Sequence, residues 1–66
     1  MTVKEFLKTK HDHSFHVYIK DQDGKQMSGR IGFIIKNFDD STWLMAELLK
    51  WDLNTKTETY KLYVIR

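Results

Sequence analysis

Apolar residues recur along this chain with two different periods, and each change of period marks an expected element. Val3, Phe6 and Leu7 stand at i, i+3 and i+4, which places them on one face of a short helix. Thr2 and Glu5 have capping-box spacing: the hydroxyl accepts from a first-turn amide while the carboxylate reaches back to the Thr2 amide. Lys8, Lys10 and His11 lie where the negative end of the helix favours cations. So short a helix is marginal alone in water, so its apolar side must pack on something.

From Ser14 the period is two. Phe15, Val17 and Ile19 alternate with His16, Tyr18 and Lys20, and after Asp21-Gln22-Asp23-Gly24-Lys25 the alternation resumes with Met27, Gly29, Ile31 and Phe33 against Gln26, Ser28 and Arg30. Two strands joined by a turn are predicted. A two-residue loop at Asp23-Gly24 would pair Ile19 with Ser28 and send the two apolar sets to opposite faces. A three-residue loop from Gln22 to Gly24, with Gly24 left-handed, pairs Ile19 with Met27, Val17 with Gly29 and Phe15 with Ile31, and is preferred.

The middle supports two readings. Residues 32–38 either continue the second strand or form a short turn of helix, and Asp39-Asp40-Ser41-Thr42 ends whatever precedes it. Residues 42–52 read as a helix, with Leu44, Met45, Leu48, Leu49 and Trp51 on one arc, or as a strand whose apolar face switches at Leu48-Leu49 and so requires a bulge. Trp51-Asp52-Leu53 and Tyr60-Lys61-Leu62-Tyr63-Val64-Ile65, separated by a polar stretch, read as an aromatic β-hairpin. Tyr63 and Ile65 cannot share a face with Leu62 and Val64, so the last strand is apolar on both sides, which fits a central strand or one whose outer face is covered by a second copy.

The opening Met-Thr-Val-Lys-Glu-Phe-Leu, the central Asp-Gln-Asp-Gly-Lys and the closing Trp-Asp-Leu and Tyr-Lys-Leu-Tyr-Val resemble a loose group of short accessory proteins carried by bacteriophages and other mobile elements. The resemblance spans the chain thinly, on architectural motifs, and implies no site residues. It implies an extended segment before the last strand. The expected fold is therefore α+β: an N-terminal helix on a small antiparallel sheet of about four strands, in the order α-β-β-β-β, with α-β-β-α-β as the alternative if residues 42–52 are helical.

Sixty-six residues suit one domain, with a stability of about 3–5 kcal/mol. Cysteine is absent, which excludes disulfides, thiolate metal sites and cysteine nucleophiles and fits a reducing compartment. No apolar run reaches the length of a membrane span and no signal-peptide core follows Met1, so a cytoplasmic protein without membrane contact is expected. The 11 basic and 9 acidic residues are spread evenly and give no basic stripe of the kind that phosphate backbones select.

Chemistry-bearing groups are few. His11, His13 and His16 are metal-capable imidazoles, but a structural site needs four well-placed ligands, and no metal or other cofactor is expected. Asp21, Asp23, Asp39 and Asp40 stand where aspartate starts turns. Gly29-Arg30-Ile31-Gly32 lacks the lysine and hydroxyl of a phosphate loop, and no serine has a nucleophile-elbow context. No nucleophile, base and stabilising group come together in the sequence, so an enzyme is not expected.

Contact surfaces are the better clue. His16, Tyr18, Lys20 and Arg30 would share one sheet face, suited to binding a protein or, less favoured, nucleic acid. So small a core is enlarged by homodimerisation, for which Trp43, Trp51, Tyr63 and Ile65 are the expected anchors. The function expected is a non-enzymatic interaction module that binds and modulates a host or defence protein.

Overall fold

The computed structural model describes residues 1–10 and 12–66. Helix α1, Val3–Lys8, carries the capping box that its sequence predicts: the Glu5 amide donates to Thr2 Oγ1 at 3.2 Å and the Thr2 amide to Glu5 Oε1 at 2.9 Å. The first-turn amides of Val3 and Lys4 donate to the carbonyls of Ala46 and Leu44 at 3.0 and 2.8 Å. Local capping and a distant loop together satisfy the donors that a helix start leaves unpaired.

Strands β1 (His16–Lys20) and β2 (Gln26–Arg30) form the predicted hairpin in the predicted register, with Ile19 opposite Met27 and Val17 opposite Gly29. The Asp21 amide donates to the Lys25 carbonyl, leaving Gln22, Asp23 and Gly24 as a three-residue loop, and Gly24 takes φ +81°. A left-handed residue there is the condition that the preferred register set.

The strand stops at Arg30. Ile31, expected to extend it, instead opens helix α2, Ile31–Asn37, and of the two readings of residues 32–38 the helical one holds. The Ile31 amide still donates to the Phe15 carbonyl, so β2 hands directly into the helix. Burial explains the switch: Ile31 and Ile34 are fully buried and Phe33 is exposed, the outcome of a helical rather than a two-residue period.

Residues 38–46 run past the start of α1 as irregular chain, and β3 (Glu47–Asn54) and β4 (Thr59–Ile65) form the closing hairpin. The extended reading of the segment before the last strand therefore holds from Glu47 onward, and the alternative of a helix over 42–52 does not. The β3–β4 register shifts between Leu48 and Lys50, the bulge that the change of apolar face required. The chain order is α-β-β-α-β-β.

The sheet order is β2-β1-β4-β3. Its central pair, β1 with β4, is parallel, which corrects the expectation of a wholly antiparallel sheet. The cause is the α2 connection: it carries the chain across the sheet before the second hairpin starts, and a crossover of that kind permits parallel neighbours. Strand β4 is central, one of the two placements that its apolar faces allow.

Both helices lie against one face. Val3, Phe6 and Leu7 of α1 and Ile31 and Ile34 of α2 join Val17 and Ile19 of β1, Leu62 and Val64 of β4, and Leu44 and Ala46 of the crossing loop in a single buried cluster. Among the described residues no helix is long and apolar enough to cross a membrane.

Candidate binding surface

Packing both helices on one side leaves the other side of the sheet uncovered, and alternation decides which side chains stand there. In β1, Val17 and Ile19 point into the core while His16, Tyr18 and Lys20 point out; in β4, Leu62 and Val64 point in while Lys61, Tyr63 and Ile65 point out. Arg30 is the cross-strand partner of His16. All four residues expected on the binding face, His16, Tyr18, Lys20 and Arg30, are therefore brought together.

The parallel β1–β4 pairing adds residues that sequence reasoning missed. Tyr18 lies between Ser28 and Lys61, and Lys61 is in turn opposite Asp52. One step along, Lys20 lies between Gln26 and Tyr63, with Lys50 beyond, its ammonium 4.7 Å from the Tyr63 ring centroid. Two half-buried tyrosines are thus framed by Lys20, Arg30, Lys50 and Lys61, against the carboxylates of Glu47 and Asp52 on the same side. The alternation within β4 already separates Lys61 and Tyr63 from Leu62. Which strand they would stand beside depended on the crossover, which no local pattern announces.

Next to this face, at the end of the β3–β4 hairpin, Asp52, Leu53, Asn54, Thr57, Thr59 and Lys61 line a depression of about 430 Å³. Its shape is fixed by the turn, where Asn54 Oδ1 accepts from the Lys56 and Thr57 amides at 3.0 and 3.2 Å. The Glu58 carbonyl accepts the His16 amide and so ties the turn to β1. The lining offers a carboxylate, an ammonium, an amide and two hydroxyls, a set for hydrogen-bonding a polar group.

The four expected dimer anchors do not form one patch. Tyr63 and Ile65 stand on the open face. Trp51 points to the helix side, where its ring centroid is 5.1 Å from that of Phe6 and 5.9 Å from that of Tyr60, under the Lys10 ammonium. Trp43 is half-buried beneath the Arg66 guanidinium, 4.0 Å from its ring centroid. Of the four, Ile65 and Trp51 remain substantially exposed, at 49% and 45%.

At the opposite end of the sheet a clamp holds the C-terminal residue. Arg66 donates from its amide to Gln22 Oε1 at 3.0 Å, from Nη1 to Asp21 Oδ2 at 3.2 Å and from Nη2 to Thr42 Oγ1 at 2.6 Å. Asp21 is buried and also accepts from the Asp23 and Lys25 amides, each at 2.9 Å. Burial pushes the Asp21 carboxyl up, but the Lys25 and Asp23 amides and the Arg66 guanidinium outweigh it and hold it below the usual carboxylate range.

Among the described residues no group of three or more His, Asp or Glu side chains is placed to hold a metal ion. His16 belongs to the open face, the His13 carbonyl accepts the Gly32 amide at 3.0 Å, and His11 lies outside the described residues. Comparison with protein-family models, with curated proteins and with solved structures gives no match.

Proposed function

We propose that this chain is a non-enzymatic interaction module whose working surface is the uncovered sheet face, that it engages an acidic protein surface there, and that it does so as a homodimer in the cytoplasm. One observation carries the reading: the helices both take the same side, so the residues displayed on the other side include Tyr18 and Tyr63 framed by Lys20, Arg30, Lys50 and Lys61. Tyrosine and arginine are common interface anchors, because they combine a rigid apolar body with hydrogen-bonding ends. The resemblance to phage and mobile-element accessory proteins makes a host or defence protein the natural partner.

Nucleic acid is the second reading, favoured by the addition of Lys50 and Lys61 beside the two tyrosines, since rings flanked by cations stack bases and contact phosphates. Glu47 and Asp52 on the same side oppose it. Capture from cell lysate on the tagged protein separates the two, run with and without nuclease and across a salt series. A protein prey that survives nuclease, declines gradually with salt and is lost from a Tyr18→Ala, Lys61→Glu double variant supports the first reading. Loss on nuclease treatment, with a steep salt dependence, replaces it with the second.

A further inference from the structure

Among the described residues the β3 edge of the sheet is capped only at its start. Thr2 bridges Glu47, and the Met1 carbonyl accepts the Leu48 amide at 2.9 Å. From Lys50 to Asn54 the outer side of β3 has no partner among the described residues. Here stand Trp51 and Leu53, exposed by 45% and 39%. An open strand edge with apolar side chains is a template for another strand.

We propose that the occupant is β3 of a second copy, paired antiparallel across a two-fold axis at Trp51. The argument is one of register. Directly opposed residues of an antiparallel pair share a face, so a two-fold pairing must centre on a residue, which then opposes its own copy. Centring on Lys50 sets two ammonium groups against each other, and centring on Asp52 sets two carboxylates against each other. Centring on Trp51 places Lys50 opposite the copy's Asp52 and Asp52 opposite the copy's Lys50, a stretch that starts just past the bulge at Leu49. Opposite charges directly across a strand pair stabilise it and like charges destabilise it, so β3 is complementary to itself in this register and repels itself in the two beside it.

The consequence reaches the binding surface. Two four-stranded sheets join edge to edge, and the axis, being perpendicular to the sheet, keeps both uncovered faces on the same side. The dimer presents two copies of the Tyr18–Tyr63 surface side by side. This inference rests on the homodimer reading above and names the contact that makes the dimer.

Sedimentation equilibrium on the wild type and on charge-exchanged variants tests it. The wild type is expected to approach twice the subunit mass as concentration rises. K50D places a carboxylate opposite the copy's Asp52 on both sides of the axis, and D52K places an ammonium opposite the copy's Lys50; each is expected to weaken self-association by roughly tenfold or more. Circular dichroism confirms that both variants fold. An equimolar mixture of the two restores opposite charges at both contacts, so it is expected to dimerise where neither variant does alone. A wild type that keeps the mass of one subunit up to about 1 mM, the limit of weak association, overturns the homodimer reading and this inference together. A wild type that dimerises equally well with K50D or D52K in place leaves the homodimer standing and overturns the β3 contact.

Discussion

Asp21 shows how much one side chain can organise in so small a protein. Its carboxylate closes the β1–β2 turn through the Asp23 and Lys25 amides and fixes the last residue of the chain through Arg66. Its ionised form is favoured in the folded state, so the stability that it contributes is complete above the ordinary carboxylate range and is lost as pH falls through the depressed folded value. The urea midpoint of the wild type should therefore fall on acidification below that range, and Asp21→Asn should be less stable at neutral pH with a flatter acid limb. An unchanged acid limb in the variant would show that another carboxylate governs it. In the sequence Asp21 reads as a turn residue, which is correct. Its link to Arg66 was not legible, because a contact between residues 21 and 66 depends on β4 lying parallel to β1.

Gly24 is the residue whose conformation the sequence specified most closely. At φ +81° an L side chain is strained even though no heavy atom lies within 4 Å of where a Cβ would stand. Gly24→Ala should cost about 1 kcal/mol through backbone strain alone, measured as a shift of the urea midpoint with an unchanged slope. A neutral substitution would mean that the turn relaxes to a different type, and with it the register of the hairpin.

Among the elements, those specified by local chemistry were legible and those specified by connection were not. The capping box of α1, the three-residue turn and the bulge at Leu48–Lys50 each follow from residue types at fixed spacing, and each is found. Helix α2 was ambiguous because Ile31, Phe33 and Ile35 also satisfy a strand period. Burial of Ile31 and Ile34 against the sheet decides it, a tertiary effect that overrides local preference. The parallel β1–β4 pair was missed for the same reason, since pairing direction belongs to the path between strands and not to the strands themselves. The binding face was half legible: alternation gave His16, Tyr18 and Lys20, and the hairpin register added Arg30, while Lys50 and Lys61 arrived with the crossover.

For the molecule as a whole, the layer arrangement links fold to function. Two short helices cannot cover both sides of a four-stranded sheet, and the apolar residues of β1 and β4 commit them to one side. What remains is a broad surface carrying tyrosines and cations, beside an edge that from Lys50 to Asn54 has no partner among the described residues. The central claim, that this surface is where the protein meets its partner, is tested most directly by lysine acetylation footprinting of the captured complex against the free protein. Lys20, Lys50 and Lys61 stand on the open face, whereas Lys8 and Lys36 are exposed on the helices. The account predicts that the first three are shielded in the complex and that Lys8 and Lys36 react as they do in the free protein; shielding of Lys8 and Lys36, with the open-face lysines still reactive, would contradict it.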